Sequence, residues 1–251
     1  EKLRGLTPKG VITVDLFGLP ADHERINTIA AEHGLFVLED AAQGFGGEVN
    51  GRRAGTLAEV GCTSFFPAKP LGCYGDGGAL FTDDDDLAEL FRSIRVHGQG
   101  SDRYENVRVG ITGRLDALQA AILIPKLGIF PDELSERQRV AATYEKLISS
   151  SAVDVVTPQV PDGYYSAWAQ YSVLATDQAA RQVILDRLKL VGVPTMIYYK
   201  KPLHLQKAFA NLGHQVGDFP VSEQASDRIF SLPMHPYLDN ETIAMIVEAM
   251  A

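Results

Sequence analysis

The stretch that decides the fold is Thr63–Leu80, which reads TSFFPAKPLGCYGDGGAL. It contains Lys69, with one proline two residues before it and another directly after it. Proline fixes its own φ and disfavours the α conformation in the residue before it, so this lysine is predicted to lie on a stiff, non-helical loop. The neighbouring side chains are apolar, and such surroundings disfavour the ammonium form and lower the pKa of a lysine. A lysine of this kind suits Schiff-base chemistry.

The segments on both sides of this loop alternate between strand and helix patterns. Apolar runs predict strands over Val11–Leu16, Leu35–Asp40, Gly61–Phe66 and Gly78–Thr82. Asp22 is predicted to cap a helix that runs to about His33. The buried face of this helix is predicted to hold Ile26, Ile29 and Ala30. Nearly continuous apolar strands separated by a helix indicate an α/β fold whose sheet is covered on both faces.

The C-terminal half has a different pattern. A helix is predicted from Arg114 and is expected to kink or end at Pro125, and a further helix is predicted over 131–149. Beyond it the sequence predicts a strand over 170–175, a helix over 178–191, a strand over 194–199 and a last helix from 239. The pattern places a boundary near 126–150 and predicts a large domain over 1–130 and a small α+β domain over 131–251.

The composition narrows the class of protein. The 251 residues include 32 acidic and 23 basic side chains, for a formal net charge of −9, which argues against a nucleic-acid-binding protein. No apolar run reaches the ~18–20 residues that span a bilayer. The 2 cysteines are too few for a disulfide framework, so a cytoplasmic location is expected. The acidic run Asp83–Asp86 is predicted to cap the following helix, and no metal site is predicted.

Residues with complementary chemistry follow two predicted strands and the lysine loop. Asp40 ends the strand predicted over Leu35–Asp40, and Gln43 follows it three residues later. Ser64 lies five residues before Lys69. Ligands of open α/β sheets bind at the carboxyl ends of strands. A carboxylate, an amine and a hydroxyl at this edge supply what pyridoxal phosphate requires, namely a partner for its ring nitrogen, its aldehyde and its phosphate. The sequence contains neither GxGxxG nor GxxxxGK[ST], which disfavours dinucleotide and P-loop binding.

These stretches carry a family resemblance. The matching segments are EDAAQ (39–43), TSFFPAKPLGCYGDGGAL (63–80), RVHGQGSD (95–102), RLDALQAAIL (114–123) and SLPMHPYL (231–238). With them the sequence resembles the DegT/DnrJ/EryC1/StrS sugar-nucleotide aminotransferases, which are fold type I pyridoxal phosphate enzymes. The lysine loop is most similar to the subgroup that aminates C3 of a UDP-linked 2-acetamido-2-deoxy-3-oxo-glucuronic acid.

The resemblance implies roles for individual residues. Lys69 would form the Schiff base and then act as the acid–base group, and Asp40 would pair with the pyridinium nitrogen. Gln43 would lie beside the ring, and Ser64 would bind the phosphate. The implied reaction moves an amino group from an amino acid, by resemblance L-glutamate, to a UDP-linked keto sugar for a surface polysaccharide such as O-antigen. The resemblance also implies a homodimer with both active sites at the interface.

The sequence departs from the family pattern at two places. The family usually has Asn where this chain has Thr112, a position that reaches the cofactor phosphate of the partner subunit. In the segment that is often His-Tyr-Pro, Tyr199 matches and Tyr198 does not, so the sugar preference stays open. By resemblance Arg114, Tyr199 and Tyr198 are the candidate substrate contacts.

Three alternatives accompany the aminotransferase interpretation. A sugar dehydratase of the same fold ranks low because such relatives characteristically lack the lysine that is present here as Lys69. A 4-keto sugar aminotransferase and a catalytically idle, regulatory relative stay open. The chain is shorter than the family by about a hundred residues, since its members pair a large domain with a small one. We therefore expect the N-terminal part of the large domain to be missing from this chain, which would leave an incomplete site.

Overall fold

The structure is a computed structural model that describes residues 7–251. The strands are β1 (Gly10–Val14), β2 (Phe36–Asp40), β3 (Glu48–Val49), β4 (Arg52–Arg53), β5 (Val60–Ser64), β6 (Gly78–Phe81), β7 (Val155–Val156), β8 (Tyr164–Tyr165), β9 (Tyr171–Ala175) and β10 (Ile229–Leu232). The helices are α1 (His23–Glu32), α2 (Asp85–Arg95), α3 (Ala117–Ser149), α4 (Gln178–Leu190), α5 (Pro220–Arg228) and α6 (Asn240–Met250). Short 3₁₀ turns cover Leu16–Gly18, Leu203–Leu205 and Lys207–Leu212. Among residues 7–251, none of the helices has both the length and the apolar character needed to cross a membrane.

The chain divides into two compact units. Of the described residues, the first unit contains 7–134 together with 160–169, and the second contains 135–159 and 170–251. The division falls inside α3, and it assigns the short strand β8 to the first unit.

The first unit is built on a mixed four-stranded sheet with the order β1-β2-β5-β6. The strands β1, β2 and β5 are parallel, and β6 pairs antiparallel to β5. The four strands predicted from the apolar runs are therefore confirmed within one or two residues at each end. Gly61 is required in β5, because a Cβ at this position would collide with the carbonyl oxygen of Gly55.

Helix α1 shows where local pattern and tertiary packing differ. The predicted cap is confirmed, since a carboxylate oxygen of Asp22 accepts a hydrogen bond from the N–H of Arg25. The predicted burial of Ile29 is wrong, because 52% of this residue is exposed. His23 and Ala30 are the buried residues of the helix, and they are seven positions apart on one stripe. Ile29 lies about 100° away from Ala30 around the helix, outside that stripe.

Helix α3 is a single element of 33 residues that contains Pro125 and Pro131. The expected separation into two helices near Pro125 is therefore wrong. Each proline removes one backbone donor from the helix. The buried side chains of Leu123, Phe130 and Leu134 continue on the same face of the helix across both prolines. Burial of this apolar face stabilises the continuous helix against the lost hydrogen bonds.

The second unit contains an antiparallel sheet with the order β10-β9-β7. The predicted last helix is confirmed as α6, and its inward side chains are Ile243, Ile246, Val247 and Met250. The strand predicted over 194–199 is wrong, because only an isolated bridge joins Met196 to Ser231 there. Pro194 has no N–H for a ladder, and Tyr198 and Tyr199 lie in a turn.

The acidic run before α2 acts as a helix cap, as predicted. A carboxylate oxygen of Asp84 accepts a hydrogen bond from the N–H of Leu87 at 2.9 Å. Asp85 and Asp86 lie in the first turn, where negative charge interacts favourably with the helix dipole.

Replacing Asp84 with alanine removes the acceptor for the N–H of Leu87. We expect the Asp84→Ala variant to lose about 1 kcal/mol of unfolding free energy. Asp83→Ala is the matched control, because Asp83 is an exposed neighbour that precedes the cap residue. Denaturant unfolding of both variants measures the difference, and equal losses in the two would contradict the capping role.

Candidate functional site

Three parallel strands end together at one edge of the main sheet. The register pairs Val14 with Asp40 and Asp40 with Cys62. The N–H of Ala41 donates to the carbonyl of Cys62 at 2.8 Å, which extends the ladder one residue past β2. The residues that follow β1, β2 and β5 therefore lie side by side, as the strand pattern predicted.

Asp40 and Gln43 are held by backbone groups at this edge. A carboxylate oxygen of the half-buried Asp40 accepts a hydrogen bond from the N–H of Ala42 at 3.0 Å. Gln43 is buried, and its Oε1 accepts from the N–H of Phe17 at 2.6 Å. Phe17 has a φ of 62°, so the chain after β1 turns sharply towards Gln43. These contacts restrict the orientation of both side chains.

Ser64 and Lys69 come from the end of β5 and the loop after it. The Oγ of Ser64 accepts a hydrogen bond from the N–H of Phe66 at 3.2 Å, and the N–H of Lys69 donates to the carbonyl of Phe66 at 2.9 Å. Lys69 is half-buried, and burial lowers the pKa of its amine while the negative charge of Asp40 acts in the opposite direction. The lower pKa agrees with the apolar neighbours in the sequence.

Thr112 and Arg114 lie on another segment of the first unit. This segment pairs with the end of α2, since Thr112 forms a bridge with Val96 and the N–H of Gly113 donates to the carbonyl of Arg95. The Oγ1 of Thr112 lies 3.4 Å from each ring nitrogen of His97. Thr112 and Arg114 are both exposed.

Tyr198 and Tyr199 belong to the second unit. Their ring centroids are 5.5 Å apart in an edge-to-face arrangement, and 54% of Tyr199 is exposed. The exposed aromatic surface is available for contact with a ligand.

A buried polar cluster lies beneath the strand ends and was not predicted from the sequence. It consists of Asp15, His23 and Glu39, whose nearest ligand-type atoms lie within 4.8 Å of one another. The carboxylate of Glu39 accepts the N–H groups of Gly55 and Leu57 at 2.5 and 2.8 Å. Both carboxylate oxygens of Glu39 therefore have backbone donors.

The pKa of Glu39 is raised within this cluster. Burial raises the pKa of Glu39 to about 7, the backbone hydrogen bonds lower it, and the charge of Asp15 raises it further. Asp15 also accepts the N–H of Ala21 and pairs with Nε2 of His23 at 3.0 Å. Protonation of Glu39 reduces the cost of burying its carboxylate beside Asp15. The alternation of side chains along β2 could have predicted that Glu39 is buried, since Glu39 lies on the same buried face as Val37.

A cavity of the first unit lies away from these residues. It has a volume of about 720 Å³ and is lined by β5, β6 and α2, with Cys62, Leu80 and Arg95 among its residues. Its lining does not include Asp40 or Lys69. This cavity is therefore separate from the strand ends that carry the predicted site residues.

Nearly the whole chain matches one protein family. The family model described as the DegT/DnrJ/EryC1/StrS aminotransferase family matches residues 2–251. The chain belongs to this family. The DegT/DnrJ/EryC1/StrS assignment confirms the predicted family.

Individual DegT/DnrJ/EryC1/StrS proteins are similar over nearly the whole chain. The UDP-2-acetamido-2-deoxy-3-oxo-D-glucuronate aminotransferase of Pseudomonas aeruginosa is 47% identical over 247 residues, which are 98% of this chain and 66% of that protein. The pleiotropic regulatory protein of Geobacillus stearothermophilus is 45% identical over 244 residues, which are 97% of this chain and 64% of that protein. The chain thus spans slightly less than two thirds of each relative.

A solved structure has the same fold. The crystal structure of a DegT/DnrJ/EryC1/StrS aminotransferase from Brucella abortus matches with a TM-score of 0.91 and 48% identity, covering 98% of this chain and 65% of that chain. This similarity confirms the predicted α/β fold of the type I class, with its mixed sheet.

Glu39 is expected to make stability depend on pH. The folded state binds the Glu39 proton more tightly than the unfolded chain does, because the pKa rises from 4.5 to about 7 on folding. This contribution is complete at low pH and is lost as the pH rises through about 7. The unfolding free energy of Glu39→Gln should therefore fall less steeply with pH than that of the wild type.

Urea unfolding at several values between about pH 5.5 and about pH 8 measures this slope. The control is Glu59→Gln, an exposed carboxylate on the approach to β5. Identical slopes for wild type and Glu39→Gln would show that Glu39 does not titrate in this range.

Proposed function

We propose that the whole protein is an aminotransferase that depends on pyridoxal phosphate and delivers an amino group to a keto sugar nucleotide. The observation that carries the proposal is that Asp40 and Ser64 end the neighbouring parallel strands β2 and β5, with Gln43 and Lys69 on the segments that follow them. The membership in an aminotransferase family supports it.

The residues at this edge fit the cofactor. The amine of Lys69 is partly desolvated, which favours the neutral form that reacts with an aldehyde. Asp40 presents a carboxylate anchored by a backbone N–H, and the hydroxyl of Ser64 accepts one N–H while its own proton can be donated. When bound, the cofactor supplies an aldehyde and a ring that withdraws electrons from the reacting carbon.

Each residue then has a distinct task. Asp40 would keep the ring nitrogen of the cofactor protonated, because an opposite charge close by favours the protonated form. Lys69 would hold the aldehyde carbon covalently and, once displaced, would take a proton from the Cα of the donor amino acid at its Nζ. Ser64 would donate to the phosphate, and Gln43 would lie beside the ring with its Oε1 engaged by Phe17.

The substrate proposal rests on similarity and on three further residues. The Pseudomonas relative acts, by its name, on a UDP-linked 3-oxo-glucuronic acid derivative. We therefore propose the C3 ketone of such a sugar as the acceptor and L-glutamate as the donor, with Arg114, Tyr198 and Tyr199 as sugar-nucleotide contacts. A role in polysaccharide biosynthesis, a homodimer in which Thr112 reaches the partner subunit's cofactor phosphate, and a cytoplasmic location stay predictions.

A regulatory function is the second candidate. The Geobacillus relative is named a pleiotropic regulatory protein, and it is nearly as similar to this chain as the Pseudomonas enzyme. The presence of Lys69 in partly desolvated surroundings favours the enzyme, because an idle binding protein has no need for a reactive amine.

Absorbance tests the cofactor assignment. The full-length protein mixed with pyridoxal phosphate should gain a band near the violet edge of the visible spectrum. Lys69→Ala should abolish this band, because the variant lacks the amine assigned to the aldehyde of the cofactor. The matched control is Lys146→Ala, an exposed lysine in the last turn of α3, which should keep the band. The assignment fails if wild type and Lys69→Ala give the same spectrum.

Amino transfer from glutamate tests the substrate. We expect turnover with UDP-linked 3-keto sugars and release of one 2-oxoglutarate for each amino sugar formed. Product analysis by mass spectrometry against UDP-linked 4-keto sugars provides the comparison. Turnover with the 4-keto sugars alone would overturn the C3 proposal, and cofactor binding without any turnover would favour the regulatory candidate.

A further inference from the structure

We propose that Lys126 and Gln119 of α3 are positioning residues that hold the loop after Lys69 and thereby fix the location of the Lys69 amine. The proposal rests on the proposed function, because it takes Lys69 as the residue that binds the cofactor. It assigns to α3 a task in the reaction beyond its contribution to the core.

The loop is closed at its base by its own backbone. The N–H of Phe65 donates to the carbonyl of Gly77, and the N–H of Cys73 donates to the carbonyl of Phe65, both at 2.8 Å. The segment from Phe65 to Gly77 is therefore a compact loop with Lys69 near its middle. The base of the loop is fixed by β5 and β6. The residues between its two ends are held in place by contacts with other parts of the first unit.

Helix α3 supplies apolar contacts to that interior. Leu71 and Cys73 are 4% and 1% exposed, and they belong to one hydrophobic cluster with Leu123 and Phe130. These contacts hold the loop near the helix, but apolar packing is not directional. The orientation of the loop backbone needs hydrogen bonds.

Two side chains of α3 provide these directional contacts. The Nζ of Lys126 donates to the carbonyl of Gly72, and the Nε2 of Gln119 donates to the carbonyl of Tyr74 at 3.1 Å. The two carbonyls flank Cys73, whose Sγ lies within hydrogen-bond distance of the carbonyls of Phe65 and Gly75 in the same loop. A hydrogen bond from an ammonium group is stronger than one from a neutral donor, so Lys126 is the more important of the two residues.

The spacing along α3 places these contacts on one face. Gln119, Leu123, Lys126 and Phe130 are separated by four, three and four residues, which is the repeat of a single helix face. Because α3 continues through Pro125, polar and apolar contacts to the loop come from one continuous helix.

The loop has little room to adapt if this support is lost. A Cβ at Gly72 would lie 2.6 Å from the carbonyl oxygen of Pro67, so the two sides of the loop approach closely there. A Cβ at Gly75 would lie 2.8 Å from Nε2 of Gln119. The carbonyl of Gly72 is thus held between the Lys69 side of the loop and α3. Because Lys69 is only three residues before Gly72, a change at Lys126 is transmitted to Lys69.

Hydrogen exchange and cofactor release test the proposal on the full-length protein. In Lys126→Met the amides of 66–77 should exchange about tenfold faster without cofactor, because the charged hydrogen bond is lost while the aliphatic stem remains. Bound pyridoxal phosphate should dissociate about tenfold faster, and the pH midpoint of its absorbance band should shift. Lys126→Arg should restore both properties, and the exposed control Lys146→Met should change neither.

Three results would overturn the proposal. The first is that the amides of 66–77 exchange at the wild-type rate in Lys126→Met. The second is that exchange in this variant rises equally in 10–32. The third is that the loop exchanges faster while the release of the cofactor and its absorbance band do not change. Failure of Lys126→Arg to restore the wild-type values would also count against it. A wild type that binds no cofactor would overturn the proposed function instead, and the exchange measurement without cofactor still decides whether Lys126 holds the loop.

Discussion

The parallel register between β2 and β5 is the constraint on which the candidate site depends. It pairs Asp40 with Cys62, and Thr63 adds a hydrogen bond from its Oγ1 to the carbonyl of Ala41. A slip of one residue would turn Asp40 towards the opposite face of the sheet, because side chains alternate along a strand. The register therefore decides that Asp40 and the loop carrying Lys69 share one edge.

The register is supported by a polar layer buried beneath it. Glu39 is fully buried and accepts hydrogen bonds from the N–H groups of Gly55 and Leu57. Asp15 pairs with Nε2 of His23 and accepts the N–H of Ala21, which follows β1. Burying such groups without partners would cost several kcal/mol. Their hydrogen bonds instead tie the connecting segments to the strand ends. The residue directly before Asp40 thus stabilises the scaffold, while Asp40 itself faces the site.

Local features of the fold could be predicted well from the sequence. The caps Asp22, Asp84, Asp177 and Asp239 each accept a backbone N–H from the first turn of the following helix. Such contacts span only three residues, so the residue type and its place before an apolar periodic run suffice to predict them. The strand–loop–strand unit around Lys69 is local in the same sense, since proline restricts the backbone directly.

Features that depend on distant partners could not be predicted in this way. The periodic pattern suggested that Ile29 is buried, but the stripe that faces the sheet passes through Ala30. Pro125 suggested a helix break, but packing of Leu123 and Phe130 keeps α3 continuous. The contact of Lys126 with the lysine loop joins residues 54 positions apart. No local rule predicts which carbonyl such a side chain will reach.

The sequence by itself determined the strands of the main sheet, the helix caps, the stiff lysine loop and the chemistry of Asp40, Gln43, Ser64 and Lys69. The resemblance in its motifs identified the family. Only the tertiary structure decided that Asp40 and Ser64 end neighbouring parallel strands and that Glu39 and Asp15 share a buried cluster. It also decided that Lys126 and Gln119 of α3 contact the lysine loop. The physical reason is that backbone preferences act over a few neighbouring residues, whereas burial, desolvation and long-range hydrogen bonds depend on segments that only folding brings together.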